Sequence, residues 1–175
     1  MKAIDTFYNG NYFRSRLEAR WAAFFDYAGI KYYYELEGFQ HNNEKYLPDF
    51  FLPNVSVRNE NDGVWIEIKP ESFEHHTIPA ASWFNQPLVL FCGMPIDFVH
   101  YTETGVEKGY ELYPMWDNYM RMFLCSNCGH IKIDFENRYK DDCWRCNTNS
   151  WHWTLLNQCA VRASKKRFEH EDFNT

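Results

Sequence analysis

Two Cys-x-x-Cys pairs, Cys125 with Cys128 and Cys143 with Cys146, stand with 14 residues between them. Each pair forms a thiolate knuckle, and two knuckles supply the four sulfur ligands of a tetrahedral Zn²⁺ site with no open position. The chain from about Leu124 to Trp153 must therefore turn back on itself, and a hairpin spans the 14-residue interval. Gly129 suits the tight turn after the second cysteine. Redox-active pairs are the competing use of the motif, disfavoured because there are two, and a mixed site would draw on His130 or His152. A zinc assignment requires thiols. The N-terminus, Met1-Lys2-Ala3-Ile4-Asp5, lacks the apolar segment of a secretory signal, which places the chain in a cytoplasm, bacterial or of an infected host cell. Cys92 and Cys159 then read as buried thiols.

A zinc ribbon is too small to bury a core, so the metal supplies its folding energy and the rest of the chain supplies the globule. With 175 residues, 45% hydrophobic and 24% charged, the chain fits one globular domain carrying a small appendage. No apolar run approaches the roughly 20 residues of a membrane span, so no membrane partner is expected. A formal net charge of -6 argues against coating nucleic acid by bulk attraction and leaves room for local basic patches.

Ahead of the ribbon, Phe13, Leu17, Trp21, Phe24 and Ala28 recur at three- and four-residue steps and predict an amphipathic helix over 13–28, stopped by Gly29. Strands are expected over 31–35, 46–52 and 64–69, joined by hairpins, with Pro48 and Pro53 keeping the second short or at an edge. A helical stretch around Glu71 to Phe84, broken by Pro79, leads to a buried strand over Pro87 to Cys92. Residues 93–121 show no period and read as irregular. A last helix over 155–170 places Arg162, Lys165 and Lys166 on one face. A helix, three strands, a crossover and a further strand make an α/β fold with a mixed sheet.

Chemistry gathers on the middle strands. In a strand, Glu67 and Lys69 share one face while Ile66 and Ile68 take the other. Asp49, after Pro48, lies beside them if the two strands form a hairpin. Two such carboxylates hold a hard divalent cation, typically Mg²⁺, with the backbone carbonyl of Ile68 as a third protein ligand and waters completing the octahedron. Lys69 then stands where it can orient or deprotonate an attacking water, which is equipment for phosphodiester hydrolysis. The ordinary alternative is a solvent-exposed ion pair between Glu67 and Lys69, contributing about 0 to 1 kcal/mol. Glu18 falls at the edge of the helix stripe and can reach the rim of the sheet, or it forms an intrahelical pair with Arg14, or both.

The runs Tyr12-Phe13-Arg14-Ser15-Arg16-Leu17-Glu18-Ala19-Arg20-Trp21, Tyr46-Leu47-Pro48-Asp49-Phe50 and Trp65-Ile66-Glu67-Ile68-Lys69-Pro70 resemble the PD-(D/E)xK nuclease superfamily, in a compact form often encoded by phages and mobile elements. The resemblance covers residues 7 to about 95 and the terminal helix of residues 163–170. It implies a restriction-endonuclease-like mixed sheet flanked by helices, with the zinc ribbon inserted. It also implies Asp49 and Glu67 as Mg²⁺ or Mn²⁺ ligands, Lys69 as catalytic lysine and Glu18 as an accessory acid. The superfamily spans restriction enzymes, junction resolvases, repair nucleases and transposase subunits, and includes inactive members.

The domains expected are a nuclease core over 1–121, the ribbon over 122–154 and a basic helix packing on the core over 155–175. Local basic patches fall at Arg14, Arg16 and Arg20 and at Arg162, Lys165, Lys166 and Arg167, as DNA contacts or as solvated helix faces. In the ribbon, Lys132, Arg138, Lys140, Trp144 and Arg145 either touch nucleic acid or accompany a purely structural brace. Trp151 and Trp153 alternate as on a strand and pack. His75 and His76 read as surface residues before an active-site role. The function expected is a metal-dependent DNA endonuclease. The alternative is a catalytically inactive protein of the same fold that binds nucleic acid or a protein partner. Cutting both strands of a duplex usually takes two active sites, which adds a homodimer to the expected partners.

Overall fold

The computed structural model describes residues 4–57, 62–70, 84–95, 101–104, 120–135 and 141–168. Asn9 and Gly10, at φ 46° and 83°, turn β1 (Thr6–Tyr8) back onto β2 (Asn11–Phe13). Ser15 then caps α1 (Arg16–Ala28). Its backbone is extended, its hydroxyl accepts the Glu18 N–H at 3.1 Å, and the same hydroxyl donates to Glu18 Oε1 at 2.6 Å. The Ser15 hydroxyl thus caps the helix and fastens the Glu18 side chain at once. The helix therefore starts later than the apolar stripe suggests, and Phe13 ends β2 with its ring buried beside the helix. Gly29, at φ 67°, closes α1 as expected by donating to Asp26 O at 3.1 Å.

Among the described residues the fold is mixed α/β, with a mixed sheet and two helices. Six segments follow α1: β3 (Tyr33–Tyr34), β4 (Phe39–His41), β5 (Glu44–Tyr46), β6 (Phe50–Val57), β7 (Asp62–Lys69) and β8 (Leu88–Cys92). After them come β9 (Tyr101–Thr104), β10 (Met120–Cys125), β11 (Ile131–Phe135), β12 (Trp151–His152) and α2 (Thr154–Ser164). An eight-stranded sheet runs in the order β12-β10-β11-β6-β7-β8-β9, with β3 also on β6, and β4 pairs only with β5. β6 and β7 form the expected antiparallel hairpin, whereas β7 and β8 are parallel, which requires a crossover connection. All five residues of β8 are buried, as befits a strand covered on both faces.

Two expectations are corrected. β6 is central, not short or marginal, and Pro53 lies inside it. Its register with β7 slips between Leu52 and Ser56, and its other edge changes partner across the same stretch, from β3 at residues 50–51 to β11 at 55–57. The missing N–H of Pro53 thus falls where the ladder is already interrupted. Within the stretch expected to be irregular, β9 pairs antiparallel with β8. The helix expected over 71–84 lies, except for Phe84, outside the described residues, as do His75 and His76.

One face of the sheet presents Phe50, Leu52, Ile66, Ile68, Val89 and Phe91 to Trp21, Phe24 and Phe25 of α1. α2 adds Leu156, Cys159, Ala160 and Ala163 to the same cluster, and Cys159 Sγ donates to Tyr27 O at 3.2 Å. Each fully buried aromatic here contributes roughly 1.5–3 kcal/mol. The opposite face carries Trp65, Phe84 and Leu88, with Phe39, Tyr46 and Phe51 packed against them.

Candidate active site

Antiparallel pairing places Phe50 opposite Ile66, so one residue further along Asp49 falls level with Glu67. Ile66 and Ile68 enter the helix-side core, and Glu67 and Lys69 take the other face, as alternation requires. The Asp49 carboxylate accepts the Ile68 N–H through Oδ2 at 2.7 Å, and the Asp49 carbonyl accepts from Glu35 N at 2.9 Å. The acid is held at both ends. Trp65 N bonds to Pro87 O and Lys69 O to Gly93 N, both toward β8. By strand geometry the Ile68 N–H and carbonyl both point the other way, toward Asp49.

Three acids are buried here: Asp49 at 4% exposure, Glu67 at 3% and Glu18 at 8%. Burial first, then the charges of Glu67 and Glu18, push the Asp49 carboxyl up to about 8 against the pull of the Ile68 N–H and of Lys69. Lys69 forms an ion pair with Glu67. That pair was the ordinary alternative, but Glu67 is buried, so it is not a solvent-exposed one. The second oxygen of Glu67, Oε2, has no hydrogen-bond partner, and the Tyr46 hydroxyl beside Glu67 has its ionisation pushed up by burial and by that charge.

Glu18 faces the site with both oxygens engaged, Oε1 by Ser15 and Oε2 by the Tyr34 hydroxyl at 2.7 Å. Tyr34 also accepts the Arg14 N–H at 3.1 Å. The intrahelical Arg14–Glu18 pair is overturned, because Arg14 precedes the cap and pairs instead with Glu35 and, at 3.3 Å, with Asp49 Oδ1. Sequence reasoning missed Tyr34, Tyr46 and Glu35 as neighbours of the acids. Ser15-x-x-Glu18, a capping-box pattern, was the signal for where Arg14 would fall.

The donors are oxygens of the kind a hard divalent ion takes, and two observations bear on whether they could hold one. Glu67 Oε2 is buried with the Tyr46 hydroxyl as its neighbour, and the ionisation of Asp49 is opposed by burial first and then by the charges of Glu67 and Glu18, charges that a cation would offset. Asp49 and Glu67 would hold it, with the Ile68 carbonyl on the same side of its strand as the N–H that meets Asp49.

Several of the other expected cations lie against aromatic rings or in the sheet. The Arg20 guanidinium carbon and the Lys166 ammonium approach the Phe168 ring at 6.0 and 5.6 Å, Arg162 lies over Tyr27 at 4.0 Å, and Lys165 is an exposed helix end. Arg16, at the start of α1, is half-buried. Lys132, expected as a phosphate contact, is instead fully buried, with its ammonium 3.1 Å from Asp134 Oδ2 and 4.4 Å from the centre of the Trp151 ring. Arg138 and Lys140 lie outside the described residues.

The second centre is the cysteine group. The sulfurs of Cys125, Cys128, Cys143 and Cys146 all lie within 4.8 Å of one another, and among the described residues no other group of three or more His, Cys, Asp or Glu is gathered so as to hold a metal ion. Cys125 and Cys146 are 3.6 Å apart and Cys128 and Cys143 3.7 Å. A tetrahedron of Zn–S bonds has edges of about 3.8 Å, so the group could bind a metal such as zinc. His130 is not among these ligands. Its Nε2 meets Ser56 Oγ at 2.9 Å and the Trp144 N–H at 3.1 Å, and burial lowers its basicity. Trp151 is buried as expected, and Trp153 is exposed at the start of α2.

Comparisons with known protein families, with characterised proteins and with solved structures find no match to this chain. Among the described residues no helix is long and apolar enough to cross a membrane.

Proposed function

We propose that the chain is a Mg²⁺- or Mn²⁺-dependent DNA endonuclease with a restriction-endonuclease-like core and a structural zinc ribbon, encoded by a phage or mobile element and acting in the cytoplasm. One observation carries the reading: Asp49, fixed on the Ile68 N–H, stands level with Glu67 and within the electrostatic reach of Glu18 and Lys69. Glu67, Glu18 and Lys69 each act on the charge of Asp49, from a helix and from the neighbouring strand.

Asp49 and Glu67 would bind the cation, which supplies charge stabilisation at the phosphoryl oxygens and lowers the pKa of water. Lys69, a cation held on Glu67, would orient the attacking water and hold charge on the phosphate; as the water oxygen bonds to phosphorus in line and the P–O bond to the leaving strand breaks, the water proton passes to solvent and the leaving oxygen takes one from solvent. Glu18, held by Ser15 and Tyr34, sets the field at Asp49.

The test is incubation with supercoiled, linear, single-stranded and branched DNA in Mg²⁺. Nicking of at least one is expected, with Lys69→Ala slower by about 10²-fold or more. Failure of the wild-type chain on all four, or full activity of Lys69→Ala, sinks the catalytic assignment. A binding-only protein is the second reading, favoured by the pairing of both acids with cations already in the chain, Arg14 on Asp49 and Lys69 on Glu67. Mn²⁺ titration separates the two, since only the nuclease reading expects uptake that Asp49→Ala and Glu67→Ala abolish.

A further inference from the structure

Arg14 touches the acidic site while most of it faces solvent: its side chain is 57% exposed, against 30% for Lys69. The guanidinium is anchored through Nε on Glu35 and through Nη2 on Asp49 Oδ1. Those two nitrogens form one edge of the planar fork. The other edge carries Nη1 and the second Nη2 proton, with the Tyr34 hydroxyl as a further neighbour of the guanidinium. We infer that this outer edge clamps the scissile phosphate of a DNA strand drawn against Asp49 and Glu67, a role that rests on the nuclease reading.

Two observations favour Arg14 over the other cations. A phosphodiester approaching this buried acidic group meets repulsion, and Arg14 is an arginine paired with one of its members, Asp49. Arg20, Arg162 and Lys166 lie against aromatic rings at the helices, away from it. The guanidinium fork also matches phosphate oxygens bidentately, and its anchoring by two carboxylates leaves less freedom to lose on binding.

The experiment uses the full chain with Ca²⁺ in place of Mg²⁺ and labelled oligonucleotides in which one phosphate at a time is an uncharged methylphosphonate. For the wild-type chain one linkage should weaken binding about 10-fold, and Arg14→Gln should bind intact DNA weaker and no longer sense that linkage, its salt slope falling by about 1. An Arg14→Gln chain with the wild-type linkage profile and salt slope overturns the clamp and leaves Arg14 as a support for Asp49 alone. Should Arg14→Gln melt below the assay temperature, Arg14→Lys carries the test: charge kept and fork lost must shrink the linkage effect, and an undiminished effect overturns the proposal. Cleavage of the same DNA in Mg²⁺ scores the nuclease reading separately. Nicking with a flat profile sinks the clamp alone, and an Arg14-dependent profile without nicking supports phosphate binding while sinking catalysis.

Discussion

Asp49 is a carboxylate whose surroundings oppose its ionisation. Unfolded it titrates near 3.8, and folded near 8, because it is buried and stands beside Glu67 and Glu18. Between those values the folded chain keeps a proton that the unfolded chain has lost, so this group's contribution to stability falls as pH rises from about 4 to 8 and is lowest above 8. In buffer free of divalent ions, Asp49→Asn should raise the melting temperature at pH 8.5 by about 5 °C, and the difference should vanish toward pH 4. A pH-independent difference would show that the fold does not oppose the ionisation of Asp49. Glu18 has a second task besides its charge: Ser15→Ala removes the helix cap and one of its two donors, and should cost about 1 kcal/mol in a denaturant titration. The pairing of Glu67 with Lys69 was legible because alternation is local. Arg14 was misread because a helical stripe does not by itself show where the helix begins, and Ser15 decides that.

Elements repeat this contrast at larger spacing. The stop of α1 was readable from Gly29 alone, since a residue at φ 67° is one that side chains avoid. A Cβ there would meet nothing within 4 Å, so Gly29→Ala should cost only the backbone term, about 1 kcal/mol, with α1 otherwise intact. A cost above about 3 kcal/mol would mean that the helix end is packed more closely than this geometry has it. β6 was harder. Pro48 and Pro53 suggested an edge, and only the partners β3 and β11, far apart in the chain, explain how a central strand accommodates Pro53. Local pattern carries no record of a neighbour some 75 residues away. The same blindness hid Lys132, which reads as a surface cation and is buried because β11 lies inside the sheet.

At the scale of the molecule, the cysteine hairpin extends the main sheet. β10 and β11 leave the cysteine cluster, β11 pairs in parallel with β6, and β6 begins one residue after Asp49. Side chains reinforce the join. Ser56 meets His130, Trp144 donates to His130, and Arg145 pairs with Asp62 at the start of β7. Trp144 and Arg145, candidates for nucleic-acid contact, are thus tied to the core, which favours the brace over the contact surface. If zinc fixes the hairpin, its loss must reach the acids through β6. Chelated at pH 7, the chain should melt at a lower temperature than the zinc-loaded one, and Mn²⁺ uptake at Asp49 and Glu67 should weaken with it. Cys143→Ser should behave in the same way, whereas Cys159→Ser, whose thiol meets Tyr27 O between the helices, should retain about one zinc per chain. Metal content, melting and Mn²⁺ titration on the same samples decide the matter. A chelated chain with an unchanged melting temperature would remove zinc from the fold, and one that melts early yet binds Mn²⁺ undiminished would sever the hairpin from the acidic site.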